Sequence, residues 1–358
     1  MDIQKITDRY HHHSKQLYKQ LFGSITSIIL TFISFYFLYL TIPPIISWAI
    51  IDANWFGSNA SDCTKAGACW VYISAWRQQL LFGQYPSDQL WRLGLCSVLF
   101  IILLSALLLN KKFHTSLQKK CLLLATIGYP IIAFILMYGG FFNLAIVETR
   151  FWGGLFLTLV IAVVGIITSF PIGLLLALGR QSKLKMIRLF CIGFIELWRG
   201  VPLITVLFMA SVMFPLFMPQ GVNIDSLLRV LVGVSLFAAA YMAEIIRGGL
   251  QAIPKGQYEA ANATGLSYWH AMFIIILPQA ITLVIPGIVS AFISLIKETT
   301  LVYIIGMFDF LGIVQFTASN SEWIRFTKEG YVFVGAVFWV ICYSLSRYSR
   351  TLEQKPLR

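Results

Sequence analysis

The chain has 358 residues, 58% of them hydrophobic and only 12% charged, with a formal net charge of +12 and a mean hydropathy of +0.78. A soluble domain carries about 25% charged residues, so this composition excludes a fold solvated by water on all sides. The basic surplus would suit a nucleic-acid ligand, but the positions of the Lys and Arg residues argue for membrane topology instead.

Eight uninterrupted apolar runs are long enough to cross a hydrocarbon core of ~30 Å as helices. They cover Leu21–Ile42, Leu93–Leu109, Cys121–Phe142, Gly154–Leu178, Leu189–Phe217, Val230–Ile246, Ala271–Ile296 and Tyr331–Ser346. These runs are too long for barrel strands and lack their alternation. The predicted fold class is therefore an all-α membrane protein with about eight transmembrane helices. With the N terminus inside, 18 of the 27 Lys and Arg fall in inner segments, 8 in outer segments, and Arg199 within a span. That asymmetry predicts cytoplasmic N and C termini and calls for no nucleic-acid partner.

In chain order, the first run follows a basic tail but ends without a small-x-small cleavage site, and reads as an uncleaved anchor. His11, His12 and His13 read as a solvated run in that tail, not as metal ligands. The outer loop 52–92 carries Trp55, Trp70, Tyr72, Trp76, Tyr85 and Trp91, residues suited to an interfacial belt. Cys63 and Cys69 share this loop, where an oxidising compartment permits either free thiols or a disulfide. The other cysteines lie in or beside apolar runs, where they pack as small hydrophobes. Residues 1–149 thus form a three-span extension without evident chemistry.

From Arg150 onward the spans contain Pro171, Pro202, Pro215, Pro278 and Pro286. Prolines free backbone carbonyls that neighbouring helices or water must satisfy, a common feature of bundles around a polar path. Glu196 and Arg199, at i and i+3, share a helix face and are able to neutralise each other. On a straight span from Leu189, Arg199 would lie roughly 15 Å into the bilayer. At such depth an ionisable pair either fixes packing or meets a substrate or gate. Glu244 and Arg247 repeat the spacing closer to the inner end, where side chains snorkel to water. Lys297, Glu298 and Thr299 follow the next span and are either interfacial or part of a pathway or gate.

Residues 256–270 are too polar to cross lipid. On one continuous helix, Ala260, Ala261, Thr264, Gly265 and Tyr268 form a small-residue face open to a close approach. Glu259 lies in its first turn, complementing the helix dipole. Alternatively the segment is an amphipathic connector resting on headgroups.

The stretch EAANATGLSYWHAMFIIILP resembles the EAA signature of permease subunits of ATP-binding-cassette importers: Glu-Ala-Ala, three residues, Gly, nine residues, Ile, one residue, Leu-Pro. WGGLFLTL, ALGRQS, ELWRGVPL, AEIIRGGLQAIPKGQYEAA and LIKETTLV are similar to the polar amino-acid branch (histidine, glutamine and general L-amino acids). With GACWVYISAWRQQLLFGQYP and VETRFWGG, the first 150 residues look like the larger M-type general L-amino-acid permease subunit. The resemblance implies a type I permease core over 150–349, preceded by three extra spans and followed by a cytoplasmic tail, 350–358. It further implies that Glu259, Ala260, Ala261 and Gly265 belong to a coupling helix that docks into an ATPase, and that Leu277 and Pro278 couple it to the lever it moves.

No G-x-x-x-x-G-K-[ST] occurs in the chain, so it lacks the P-loop route to binding phosphates. The resemblance therefore places ATP and Mg on a partner ATPase, with no cofactor on this chain. Further partners implied are a second related permease subunit, a periplasmic binding protein, an L-amino-acid substrate and membrane lipid, all at the bacterial inner membrane. An ion-gradient-driven amino-acid transporter is the alternative. It would use Glu196 or Glu244 as a proton site and leave the EAA segment without a purpose.

Overall fold

The computed structural model describes residues 18–64, 66–109, 124, 128–219, 221 and 224–353. His11 to His13, Cys121, most of the segment 110–127 and the end of the tail lie outside the described residues. Regular structure among the described residues is helical, and the bridges outside helices are three isolated pairs. The chain divides into two compact units, Met1–Ala75 and Trp76–Arg358.

In the first unit, helix α1 (Ile25–Ile46) begins after Ser24, whose hydroxyl accepts the Ser27 amide at 3.1 Å. This is the N-cap geometry that satisfies an otherwise orphaned helix amide. Pro43 and Pro44 fall near its end, and the chain continues as a wide π turn, Ser47–Ile51. In the loop beyond, Cys63 and Cys69 are joined in a disulfide with Cα atoms 5.7 Å apart. The Trp70 indole donates to the Ala49 carbonyl at 2.8 Å and lies beside the rings of Trp48 and Trp55.

The second unit is the helical bundle. Its principal helices are α2 (Leu90–Leu109), α3 (Tyr129–Tyr138), α4 (Gly154–Arg180), α5 (Lys185–Gly200), α6 (Leu203–Leu216), α7 (Ser226–Ala252), α8 (Lys255–Ala263), α9 (Tyr268–Ile305), α10 (Phe310–Thr317) and α11 (Thr327–Glu353). Among the described residues, five helices are long and apolar enough to cross a membrane, six if the bent pair α5 and α6 counts as one span. The helices α2 and α3 are the described parts of two further apolar runs.

The run Leu189–Phe217, read above as one straight span, is a correction. It breaks between α5 and α6 with a bend of 102°. Val201 is extended (φ −111°, ψ 134°) because the δ-carbon of Pro202 excludes the helical region for its predecessor. The calculated depth of Arg199 falls with the straight span. By contrast, Pro171 and Pro286 sit inside continuous helices, and Pro215 and Pro278 each follow a π turn, Met209–Met213 and Ala271–Ile276.

Helices α4 and α7 form the spine. A β-carbon on Gly173 would lie 2.7 Å from that of Met242, and one on Gly249 2.6 Å from the Ala280 carbonyl oxygen. Backbones packed this closely need the small residues that membrane helix interfaces favour. The core has two parts. One surrounds Trp152, Leu157, Val230, Val234 and Val302; the other surrounds Ala177, Ala239, Met242, Ile276 and Ala280, next to α8.

Candidate functional site

The polar helix α8 joins the ends of two apolar helices, α7 and α9. Pro254 precedes it, pre-set for a helix start. The helix predicted as continuous over 256–270 stops at Ala263, which is a second correction. Leu266 N–H donates to Ala261 C=O at 3.4 Å and Gly265 N–H to Asn262 C=O at 3.0 Å. Gly265 has φ +72°. Those paired bonds and the left-handed glycine make a Schellman end. Gly265 therefore owes its place to backbone conformation: a β-carbon there would meet no atom within 4 Å.

The stop redistributes the predicted face. Ala261 turns inward and is 2% exposed, whereas Glu259, Ala260, Thr264, Gly265 and Tyr268 are exposed. Two hydrogen bonds fasten α8 to its neighbours. Gln279 Nε2 donates to Gln257 Oε1 at 3.1 Å, and the Tyr258 hydroxyl to the Leu250 carbonyl at 3.2 Å. Leu277 is buried in the adjoining core and Pro278, exposed, opens the regular part of α9. α8 is thereby tied to both α7 and α9.

Above this helix lies a charge cluster. Glu196 and Arg199 do not pair with each other. Arg180 Nη1 reaches Glu196 Oε1 at 3.2 Å and Glu244 Oε2 at 3.4 Å. Arg199 Nη1 lies 3.7 Å from Glu244 Oε2. Arg247 Nε donates to the same oxygen at 3.0 Å, and its Nη2 to Oε1. Three guanidinium groups against two carboxylates leave one positive charge, drawn from the ends of α4, α5 and α7. The Arg199 guanidinium also lies over the Tyr241 ring, 5.9 Å from its centroid. Glu244 is the hub, and its side chain is 22% exposed, so water reaches the cluster.

Sequence reasoning missed Arg180, which counted only as an inner-side charge. Its partners, Glu196 and Glu244, lie on two other helices, so no local pattern marked it. Lys297, Glu298 and Thr299 lie elsewhere, where α9 tightens into a 3₁₀ turn. Thr299 is 2% exposed, its hydroxyl bonded to the Ile296 carbonyl at 2.8 Å.

At the far end from α8, Asp309 is fully buried and caps α10 through the Gly312 amide at 2.8 Å. Thr158 Oγ1 lies 3.5 Å from its carboxylate and accepts the Phe310 amide at 3.1 Å. Burial pushes the Asp309 carboxyl up to about 6, against the opposing pull of the Gly312 and Leu311 amides and the Thr158 hydroxyl.

A bundle of apolar helices, two of its prolines following π turns and one at a sharp bend, with a polar helix slung between two spans, is the architecture of a membrane permease. The chain belongs to the family whose model, described as "Binding-protein-dependent transport system inner membrane component", matches residues 169–358. It is 50% identical to the inner membrane amino-acid ABC transporter permease protein YhdY of Escherichia coli, over 94% of this chain and 91% of that one. It is 41% identical to the glutamate/glutamine/aspartate/asparagine transport system permease protein BztC of Rhodobacter capsulatus, over 87% and 82%. A crystal structure of an amino acid ABC transporter with histidines matches with a TM-score of 0.51 and 31% identity, over 56% of this chain and 91% of that one.

Proposed function

We propose that this chain is the permease subunit of an ATP-driven importer of polar L-amino acids, of the general M-type. The observation that carries the reading is α8: the EAA residues form a separate, exposed helix hydrogen-bonded to the two helices it joins. Such an element has no use in an ion-driven carrier and suits a lever moved from outside the chain. Glu259 and Ala260 form the face offered to an ATPase, Gly265 shapes its end, and Ala261 and Leu277 anchor it.

On this reading ATP and Mg act on the ATPase subunits, whose closure swings α8 and the inner ends of α7 and α9. The cluster of Arg180, Glu196, Arg199, Glu244 and Arg247 is the inner gate, because it ties together the three helices that must separate. Lys297, Glu298 and Thr299 belong to the pathway further along α9. A second, related permease chain completes the bundle, and a periplasmic binding protein delivers the amino acid. Both termini are cytoplasmic, an orientation that the Cys63–Cys69 disulfide supports by favouring an oxidising compartment for its loop.

The test is reconstitution in proteoliposomes with the ATPase, second permease and binding protein. Uptake of radiolabelled glutamate or glutamine should require ATP and the binding protein and persist when the proton gradient is collapsed. Uptake that follows the proton gradient and ignores ATP would establish the ion-driven alternative.

A further inference from the structure

Two cavities of unlike character lie side by side at the end of the bundle away from α8. One, of about 410 Å³, has a mixed polar and apolar lining and takes in Glu148 and Arg150. The other, of about 800 Å³, is an apolar groove walled by Phe100 of α2, Met137 of α3, Leu159 and Val163 of α4 and Leu231 of α7. They share Tyr138, Thr149, Trp152, Asp225 and Leu227 in their walls. The groove thus runs between the extension helices and the core spine, and its polar end is where those two parts join. Its volume falls within the ~300–1,000 Å³ of ligand sites.

The chemistry of the mouth selects the occupant. Arg150 Nε pairs with Glu148 Oε2 at 2.8 Å, both side chains largely exposed. Asp225 accepts the Thr149 hydroxyl at 2.5 Å and the Leu228 amide at 3.1 Å, which leaves lone pairs on both carboxylate oxygens for another donor. Two carboxylates and one guanidinium, net negative, complement a ligand that carries a phosphate and an ammonium together. They oppose one with phosphate alone. A partner's helix laid in the groove would satisfy the apolar walls but cover these charges without pairing them, at a desolvation cost.

We infer that this groove is a binding site for a single phospholipid with a zwitterionic, amine-bearing headgroup: its acyl chains lie between α2, α3 and α4, its phosphate on Arg150 and its ammonium on Glu148 and Asp225. The lipid fills the seam between extension and core, which gives the extra spans a function. With α8 on the cytoplasmic side the lipid belongs to the outer leaflet; that placement alone rests on the import reading, and the test does not involve transport.

The assembled permease complex is purified, exchanged into mixed phosphatidylethanolamine and phosphatidylglycerol, and analysed by native mass spectrometry. One phosphatidylethanolamine per chain should be retained, favoured roughly tenfold over phosphatidylglycerol, the factor expected of about one charge-assisted hydrogen bond. Glu148→Gln combined with Arg150→Gln should bring that preference close to parity. Leu159→Trp, which fills the groove, should reduce retention of both lipids while the complex stays assembled. As a check independent of folding changes, a benzophenone side chain in place of Leu159 should crosslink to lipid on irradiation. A crosslink to polypeptide, equal retention of the two lipids, or unchanged retention in Leu159→Trp would each overturn the site.

Discussion

The two ends of the bundle hold charge by different means. Near α8, Glu244 is shared by Arg180, Arg199 and Arg247, and Glu196 competes for Arg180. At the opposite end Arg92 is 1% exposed and donates to the Ala145 carbonyl at 2.7 Å, while Asp309 is held by backbone amides and Thr158. A charge fixed by backbone dipoles has one geometry and moves only if the fold moves. A cluster of long side chains with more than one partner each is able to trade partners as helices shift. The difference teaches that the far end is a clamp and the α8 end a joint.

The sharpest way to break this contrast is Glu244→Gln. The substitution keeps the volume but removes the carboxylate common to three guanidinium groups, each charged hydrogen bond being worth roughly 1.5–3 kcal/mol. Transport in proteoliposomes should fall by more than about tenfold, and thermal unfolding of the complex should come earlier. Arg199→Ala, which removes the longest of the contacts, should lower transport more than assembly. If Glu244→Gln leaves uptake intact, the joint does not run through this cluster.

Asp309 tests the clamp. Its folded-state pKa of about 6 stands above the ordinary 3.8, so the folded protein binds the proton more tightly than the unfolded chain. The contribution to stability is therefore fully present below about pH 4 and is lost as pH rises through about 6. Asp309→Asn mimics the protonated form and retains a capping oxygen. Its unfolding temperature should approach that of the parent near pH 3.5 and exceed it at pH 7.5, by up to about 3 kcal/mol in free energy from the two-unit shift. A gap that stays constant across this range would show that the carboxyl is not held in its neutral form.

The apolar spans were legible because hydrocarbon allows a chain few alternatives to long helices. The break at Val201–Pro202 was written in GVPL, but the unbroken hydropathy on either side concealed it. Pairing within Glu196–Arg199 followed from spacing along one helix, whereas the observed partners come from α4 and α7, and convergence of three helices leaves no local signature. Arg180 was overlooked for the same reason. The end of α8 is a different kind of miss: a glycine after a polar helix is an ordinary stop signal. Reading residues 256–270 as a single face obscured it.

That last point can be settled at Gly265. If the residue is needed for its left-handed backbone, with φ +72° and no atom near an added β-carbon, then size is irrelevant and conformation decides. Gly265→Ala and Gly265→Trp should weaken co-purification of the ATPase to a similar degree, roughly 5- to 30-fold for the 1–2 kcal/mol that a non-glycine residue incurs there. Gly265→Asn should retain more, because asparagine tolerates this region better. Membrane insertion should be unaffected in all three. Were alanine harmless and only tryptophan disruptive, the glycine would instead mark a close contact with the ATPase, and the exposed surface around it would be the docking face itself.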